Sequence, residues 1–179
     1  LAKQVDGIIY MGNKITDELR SEFSRSKTPV VLAGTIDPEQ QVGSVNIDYI
    51  GATEEVVANM IANGKKNIAF VSASLSNPIN GQHRLKGYKN ALVNANIAFD
   101  EALVFECEPT LQNGELLAEQ LLEAGVDAAY VAGDELAIGL LNAIINAGVS
   151  VPEAFEVTAS NNSRITEMAR PKLTSIMLP

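Results

Sequence analysis

Helix-periodic segments in this chain repeatedly run into a glycine and are followed by a short apolar run. That rhythm limits the fold more than any other feature. Asn63-Gly64 precedes an apolar run over 67–72, Gly125 precedes one over 128–132, and Gly148 precedes one over 155–160. Glycine accepts the left-handed conformation that closes a helix. A short run that is apolar throughout, rather than alternating, suits a strand covered on both faces, as in a parallel sheet. Strands alternating with helices then require an α/β fold with helices on both sides of parallel sheets.

Extending this reading along the chain predicts strands over 5–11, 30–33, 45–47, 67–72, 103–105, 128–132, 155–160 and 173–178. It predicts helices over 16–26, 53–63, 82–94, 113–125 and 134–147. Thr53 is expected to cap the second helix, with Glu54 and Glu55 suiting its positive N-terminal end. Asn113 is expected to cap the fourth, with Leu116, Leu117, Leu121 and Leu122 turned inward. Pro171 blocks helix continuation and launches the last strand. The segment before Gly64 holds too few elements to complete a doubly wound sheet. A boundary is therefore expected there, with 1–63 in one unit, 64–176 in a second, and 177–179 starting a crossover back to the first.

Composition excludes several roles. The 179 residues carry a formal net charge of −9, which opposes phosphate backbones, so this stretch alone is a poor DNA binder. Cys107 is the single cysteine, which rules out an internal disulfide and fits a reducing compartment. Glu106 and Glu108 flank it and oppose thiolate formation. With one cysteine and one histidine, His83, a soft-metal site is not expected. There is no phosphate-binding loop, no GxGxxG, no GxSxG elbow and no paired carboxylates after an early strand, so neither catalysis nor a cofactor is expected. No apolar run is long enough to span a bilayer, and no signal peptide is visible after Leu1.

In open α/β sheets, ligands bind beyond the carboxyl ends of the strands. Those ends read Gly12-Asn13, Gly34-Thr35, Asp48, Ser72-Ala73-Ser74, Gly133-Asp134 and Ser160-Asn161-Asn162, all small or polar. The helix over 134–147 differs from the others. Glu135, Asn142 and Asn146 form its only polar stripe after the cap, while Ile138, Leu141 and Ile145 belong to an apolar surface covering the rest. Such a helix is buried on more than one side. It packs either within its own domain or also against a second subunit.

An ordered set of short matches runs through the chain. It comprises Val5-Asp6-Gly7-Ile8-Ile9, Pro29-Val30-Val31-Leu32, Val45-Asn46-Ile47-Asp48, Gly64-Lys65-Lys66-Asn67-Ile68-Ala69-Phe70, Arg84-Leu85-Lys86-Gly87-Tyr88, Gly133-Asp134-Glu135-Leu136-Ala137-Ile138-Gly139, Val151-Pro152 and Pro171-Lys172-Leu173-Thr174-Ser175. By these the chain resembles the regulatory core of LacI/GalR-type bacterial transcription regulators. Lys14 to Leu19 and Asn77-Pro78-Ile79-Asn80 are similar to the family's catabolite-control branch.

The resemblance implies a periplasmic-binding-protein-like fold of two doubly wound subdomains, the first incomplete here. It implies a cytoplasmic homodimer that senses an effector and is not an enzyme. Its partners would be a serine-phosphorylated HPr phosphocarrier protein and a sugar phosphate, with DNA bound only through an N-terminal head preceding residue 1. Arg84 matches the family's effector-contacting arginine, and Asn161 stands where an effector-contacting aspartate is usual. Ser74 and Asp48 at strand ends join them as cleft candidates. Asp134 serves either as a cap or as a ligand contact. Ile138, Leu141, Ile145 and Ala169 are the expected dimer surface. An amide at 161 cannot pair ionically with Arg84, and the chain has no tryptophan to stack on a sugar. Both features agree better with a phosphorylated or protein effector than with a free sugar. The same residues leave open a periplasmic-type sugar-binding protein.

Overall fold

The computed structural model describes residues 5–12 and 14–177. The expectations that touch Asn13, Leu178 and Pro179 lie outside the described residues. The order is β1 (Ile8–Tyr10), α1 (Asp17–Arg25), β2 (Val30–Ala33), β3 (Ser44–Val45), α2 (Tyr49–Ala62), β4 (Ile68–Ser72), a π-helical turn (Pro78–His83), α3 (Arg84–Asn94), a 3-10 turn (Glu101–Leu103), β5 (Val104–Glu106), α4 (Leu111–Glu123), β6 (Ala128–Val131), α5 (Asp134–Asn146), β7 (Glu156–Asn161), α6 (Arg164–Met168) and β8 (Thr174–Met177). Two sheets form, with strand orders β1-β2-β3 and β5-β4-β6-β7-β8. Every pairing is parallel, as the glycine rhythm requires. Gly64, Gly125 and Gly148 all take positive φ just past their helices.

The five-stranded sheet shows why its strands read as unbroken apolar runs. Side chains alternate between faces along a strand. Ala69 and Val71 of β4 join Ala129 and Val131 of β6 in a core under α4 and α5. Ile68 and Phe70 join Ala128 and Tyr130 in a second core under α2 and α3. Neither face reaches water, so neither row is polar. Among the described residues the three-stranded sheet is covered on one face only. Leu32, Tyr10 and Val30 pack against Leu19 and Phe23 of α1. On the opposite face Ile9, Val31 and Val45 are 74%, 41% and 68% exposed.

Helix α3 begins at Arg84 rather than at residue 82, because a π-helical turn over Pro78–His83 leads into it. Two other helix starts move upstream of expectation, each because a better cap lies there. Asp48 caps α2, accepting from the Gly51 N–H at 3.0 Å. Thr53 sits inside the helix, fully buried, with its hydroxyl 3.3 Å from that of Tyr130. Thr110 caps α4, accepting from the Asn113 N–H, while the Asn113 side chain donates to the Glu108 carbonyl. The inward face of α4 is formed by Gly114, Leu117, Ala118 and Leu121. Leu116, expected inside, is 70% exposed. The polar segment after Ser163 forms the short helix α6, which periodicity did not predict.

Helix α2 packs on the second sheet, with Val57 and Met60 in the same core as Ile68, Phe70 and Tyr88. By packing, the chain passes from the first sheet to the second between β3 and α2.

Candidate functional site

A cleft of about 570 Å³ opens at the carboxyl ends of β4, β6 and β7, where a parallel sheet is expected to bind. Its walls are Tyr49 from the start of α2, Ser72 from β4, Asn80 and Arg84 from the segment that follows, Gly133 and Asp134 at the start of α5, and Asn161 at the end of β7.

Arg84 is only 3% exposed. Its guanidinium lies over the Tyr49 ring, 4.2 Å from the centroid. Its Nε has no hydrogen-bond partner, and none of the ion pairs among the described residues includes it. A buried charge without a counter-charge is costly unless a ligand supplies one.

The Arg-x-x-Gly-aromatic run explains how Arg84 is held there. A Cβ on Gly87 would overlap the Ile50 carbonyl, so only glycine lets α3 lie this close to α2. Tyr88 then donates to the Ile68 carbonyl at 2.8 Å. Burial, with Asp100 nearby, pushes its phenol up to about 12, so the hydroxyl stays a donor. Upstream, Asn77 accepts from the Ile79 and Asn80 N–H groups, and the Ser72 hydroxyl donates to the Asn80 carbonyl at 3.3 Å. These bonds fix the π-helical turn against the end of β4.

Of the residues read from sequence as cleft candidates, Arg84, Asn161 and Asp134 come together. Ser74 does not line the cleft; its hydroxyl meets that of Ser76. Asp48 is exposed and caps α2, which delivers its neighbour Tyr49 into the wall. Asp134, by contrast, does not cap its helix. Gly133 holds that position with no side-chain capping bond. The Asp134 carboxylate instead accepts from the Ser163 N–H at 2.7 Å and the Ser175 hydroxyl at 3.3 Å. Tyr49 and Asn80 were missed. Starting α2 at its true cap, Asp48, would have exposed Tyr49.

A second, apolar groove of about 620 Å³ runs between α5 and α6. Leu111, Ile138, Ile165, Met168 and Ala169 line it. It includes two of the four expected interface residues. Ile145 lies outside it and is 37% exposed. Leu141, expected at this surface, does not belong to it. It is fully buried in the chain's own core with Phe155 and Val157, and has no surface to offer a partner.

On the first sheet, Thr35 donates to the Gly12 carbonyl and accepts from the Gly12 N–H. Next to it, buried Arg20 and Asp37 pair at 2.7 Å. Burial alone would raise the Asp37 carboxyl. Arg20 and the N–H groups of Val42, Gln41 and Glu39 outweigh that and hold it below the usual carboxylate range. Burial raises the Cys107 thiol, which keeps it a poor nucleophile. Among the described residues there is no cluster of metal-ligating side chains, and no helix is long and apolar enough to cross a membrane.

Residues 57–179 match the family model of the periplasmic binding protein-like domain. The chain is 51% identical over 178 residues to catabolite control protein A of Streptococcus mutans, covering 99% of this chain and 53% of that protein. It thus spans about half the length of the curated relatives it matches. Among solved structures, transcription regulator CcpA of Lactococcus lactis is 46% identical with a TM-score of 0.84, over 98% of this chain and 64% of that one. A sugar-binding LacI-family transcriptional regulator from Escherichia coli, complexed with phosphate, is 29% identical with a TM-score of 0.87, over 97% of this chain and 63% of that one.

Proposed function

The chain belongs to the periplasmic binding protein-like domain family, in the form found in LacI-family regulators, and from that premise we propose that it is the effector-sensing and dimerising core of a catabolite-control transcription regulator. The effector class we propose is a phosphate-bearing sugar. Arg84 carries this reading: a buried guanidinium on an aromatic platform, lining the cleft with no ion-pair partner among the described residues. Asn161 supports it. A carboxylate there would compete with an anionic ligand, whereas an amide both donates and accepts. The phosphate held by the Escherichia coli neighbour agrees with such a ligand.

The rest of the reading is mechanical. Two copies associate through the α5–α6 face, around Ile138 and Ala169. Effector binding changes how the first sheet sits relative to the second. That change reaches DNA-binding heads outside this sequence and alters their grip on two half-sites. Serine-phosphorylated HPr is the proposed protein partner. The first unit ends before α2, at about residue 48, because α2 packs on the second sheet. The protein acts by binding rather than by catalysis.

Calorimetry with glucose 6-phosphate, glucose and inorganic phosphate tests the ligand class. The phosphate ester should bind, and Arg84→Gln should abolish binding. Asn161→Asp should weaken the ester and favour the free sugar. Free glucose binding more tightly than its phosphate in the wild type would overturn the reading.

A further inference from the structure

One buried carboxylate in the cleft wall opens the helix whose Ile138 lines the apolar groove. Asp134 is 5% exposed. It accepts from the Ser163 N–H at 2.7 Å and from the Ser175 hydroxyl at 3.3 Å. The same Ser175 oxygen accepts from the Asn162 N–H at 2.9 Å. Asp134 thus grips both residues that follow Asn161, one directly and one through Ser175 of β8.

What it grips is a segment that would not hold its shape unaided. Asn161 and Asn162 have φ of 119° and 51°. Both values lie in the left-handed half of φ space, where a non-glycine residue persists only when its surroundings fix it. Thr166 adds bonds from the far side, donating to the Ser163 carbonyl at 2.8 Å and approaching the Asn162 side chain. The segment begins at Asn161 in the cleft and runs directly into α6, whose Ile165 and Met168 line the groove with Ile138 of α5. Asp134 is itself the first residue of α5. A single side chain is therefore tied to the cleft wall, to both helices of the groove, and to the last strand.

We infer that Asp134 is a positioning residue that fixes Asn161 and α6 in one arrangement, so that a ligand in the cleft is felt at the α5–α6 face. This rests on the ligand and self-association readings above only for its second clause. The role inferred for Asp134 is to position rather than to touch the ligand: each of its oxygens already accepts one hydrogen bond, from Ser163 and from Ser175, and its charge would repel a phosphate.

The test uses Asp134→Ala, Asp134→Asn and Ser175→Ala. Asparagine still accepts from the Ser163 N–H and is the conservative rescue. Hydrogen exchange is followed without ligand in peptides covering 161–168, with β4 as the internal reference. Asp134→Ala should accelerate exchange in those peptides by about tenfold or more, as loss of a charge-assisted bond implies. Asp134→Asn should stay within about threefold of wild type. Self-association is then measured by sedimentation with and without glucose 6-phosphate. Asp134→Ala should lose the ligand-dependent change, and Asp134→Asn should keep it. Should the alanine variant fail to fold, Ser175→Ala carries both measurements, since it removes the link to Asn162. Unchanged exchange over 161–168 would overturn the proposal. So would a loosened segment with an intact ligand-dependent change in association. If glucose 6-phosphate does not bind the wild type, the ligand reading fails by itself, and the exchange measurement still decides whether Asp134 positions the segment.

Discussion

The guanidinium of Arg84 rests 4.2 Å from the centre of the Tyr49 ring, which joins the first residue of α3 to the first residue of α2. The ring face offers a buried cation partial compensation while leaving its N–H groups able to meet an anion.

Tyr49→Leu should therefore weaken ligand binding without unfolding the domain. A cation–π contact of about 0.5–2 kcal/mol corresponds to roughly a 2- to 30-fold loss of affinity. Tyr49→Phe keeps the ring face and should stay within about twofold of wild type. Calorimetry with glucose 6-phosphate checks both. Equal affinity in the leucine variant would remove Tyr49 from the site.

Asp37 predicts an acid-sensitive loop. Its carboxyl titrates below the ordinary carboxylate range in the folded chain. Its contribution is therefore complete above the unfolded value, about 3.9, and is lost as pH falls through the folded value. Stability measured by urea denaturation should decline below about pH 4, and Asp37→Asn should flatten that decline while lowering stability at neutral pH. A parallel downward shift at every pH would show that the pairing with Arg20 is not what titrates.

Thr158 predicts a gain. Its hydroxyl is buried on β7 with no hydrogen-bond partner among the described residues. Valine has nearly the same shape and no polar atom to desolvate. Thr158→Val should raise stability by about 1 kcal/mol, since leaving a buried hydroxyl unsatisfied costs about 1–3 kcal/mol. Thermal unfolding reads the change. A fall in midpoint would mean that the hydroxyl is satisfied by buried water.

Much of this architecture was legible because burial on both faces writes itself into the residues. β2 matches expectation to the residue, and β4, β6 and β7 fall within one residue of it at each end. The helix starts were less legible, because capping depends on a single side chain and several polar residues compete for it. Asp48 and Thr110 prevailed over Thr53 and Asn113. In the cleft, Arg84 and Asn161 could be placed from motif and strand end. Tyr49 was hidden by the misplaced cap: only with α2 starting after Asp48 does it become the first residue of a helix at a strand's carboxyl end. The role of Asp134 was hidden for a different reason. Its partners Ser163 and Ser175 lie far along the chain, and no local pattern joins them to a helix start.

The α5–α6 face gives the last prediction, through two residues of one helix that periodicity treats alike. Ile138 lines the apolar groove, whereas Leu141 is fully enclosed by the chain's own core. Ile138→Asp puts a charge at the proposed contact between copies. It should weaken self-association at least tenfold, since desolvating an unpaired charge costs more than about 1.4 kcal/mol, and should leave the thermal midpoint of the monomer nearly unchanged. Leu141→Ala should do the reverse. It opens a cavity beside Phe155 and should cost about 2–5 kcal/mol of folding stability, with the association constant of the remaining folded protein preserved. Sedimentation and thermal unfolding on the same two variants separate the effects. If Ile138→Asp leaves the sedimentation profile unchanged, the groove is not the surface through which two copies meet.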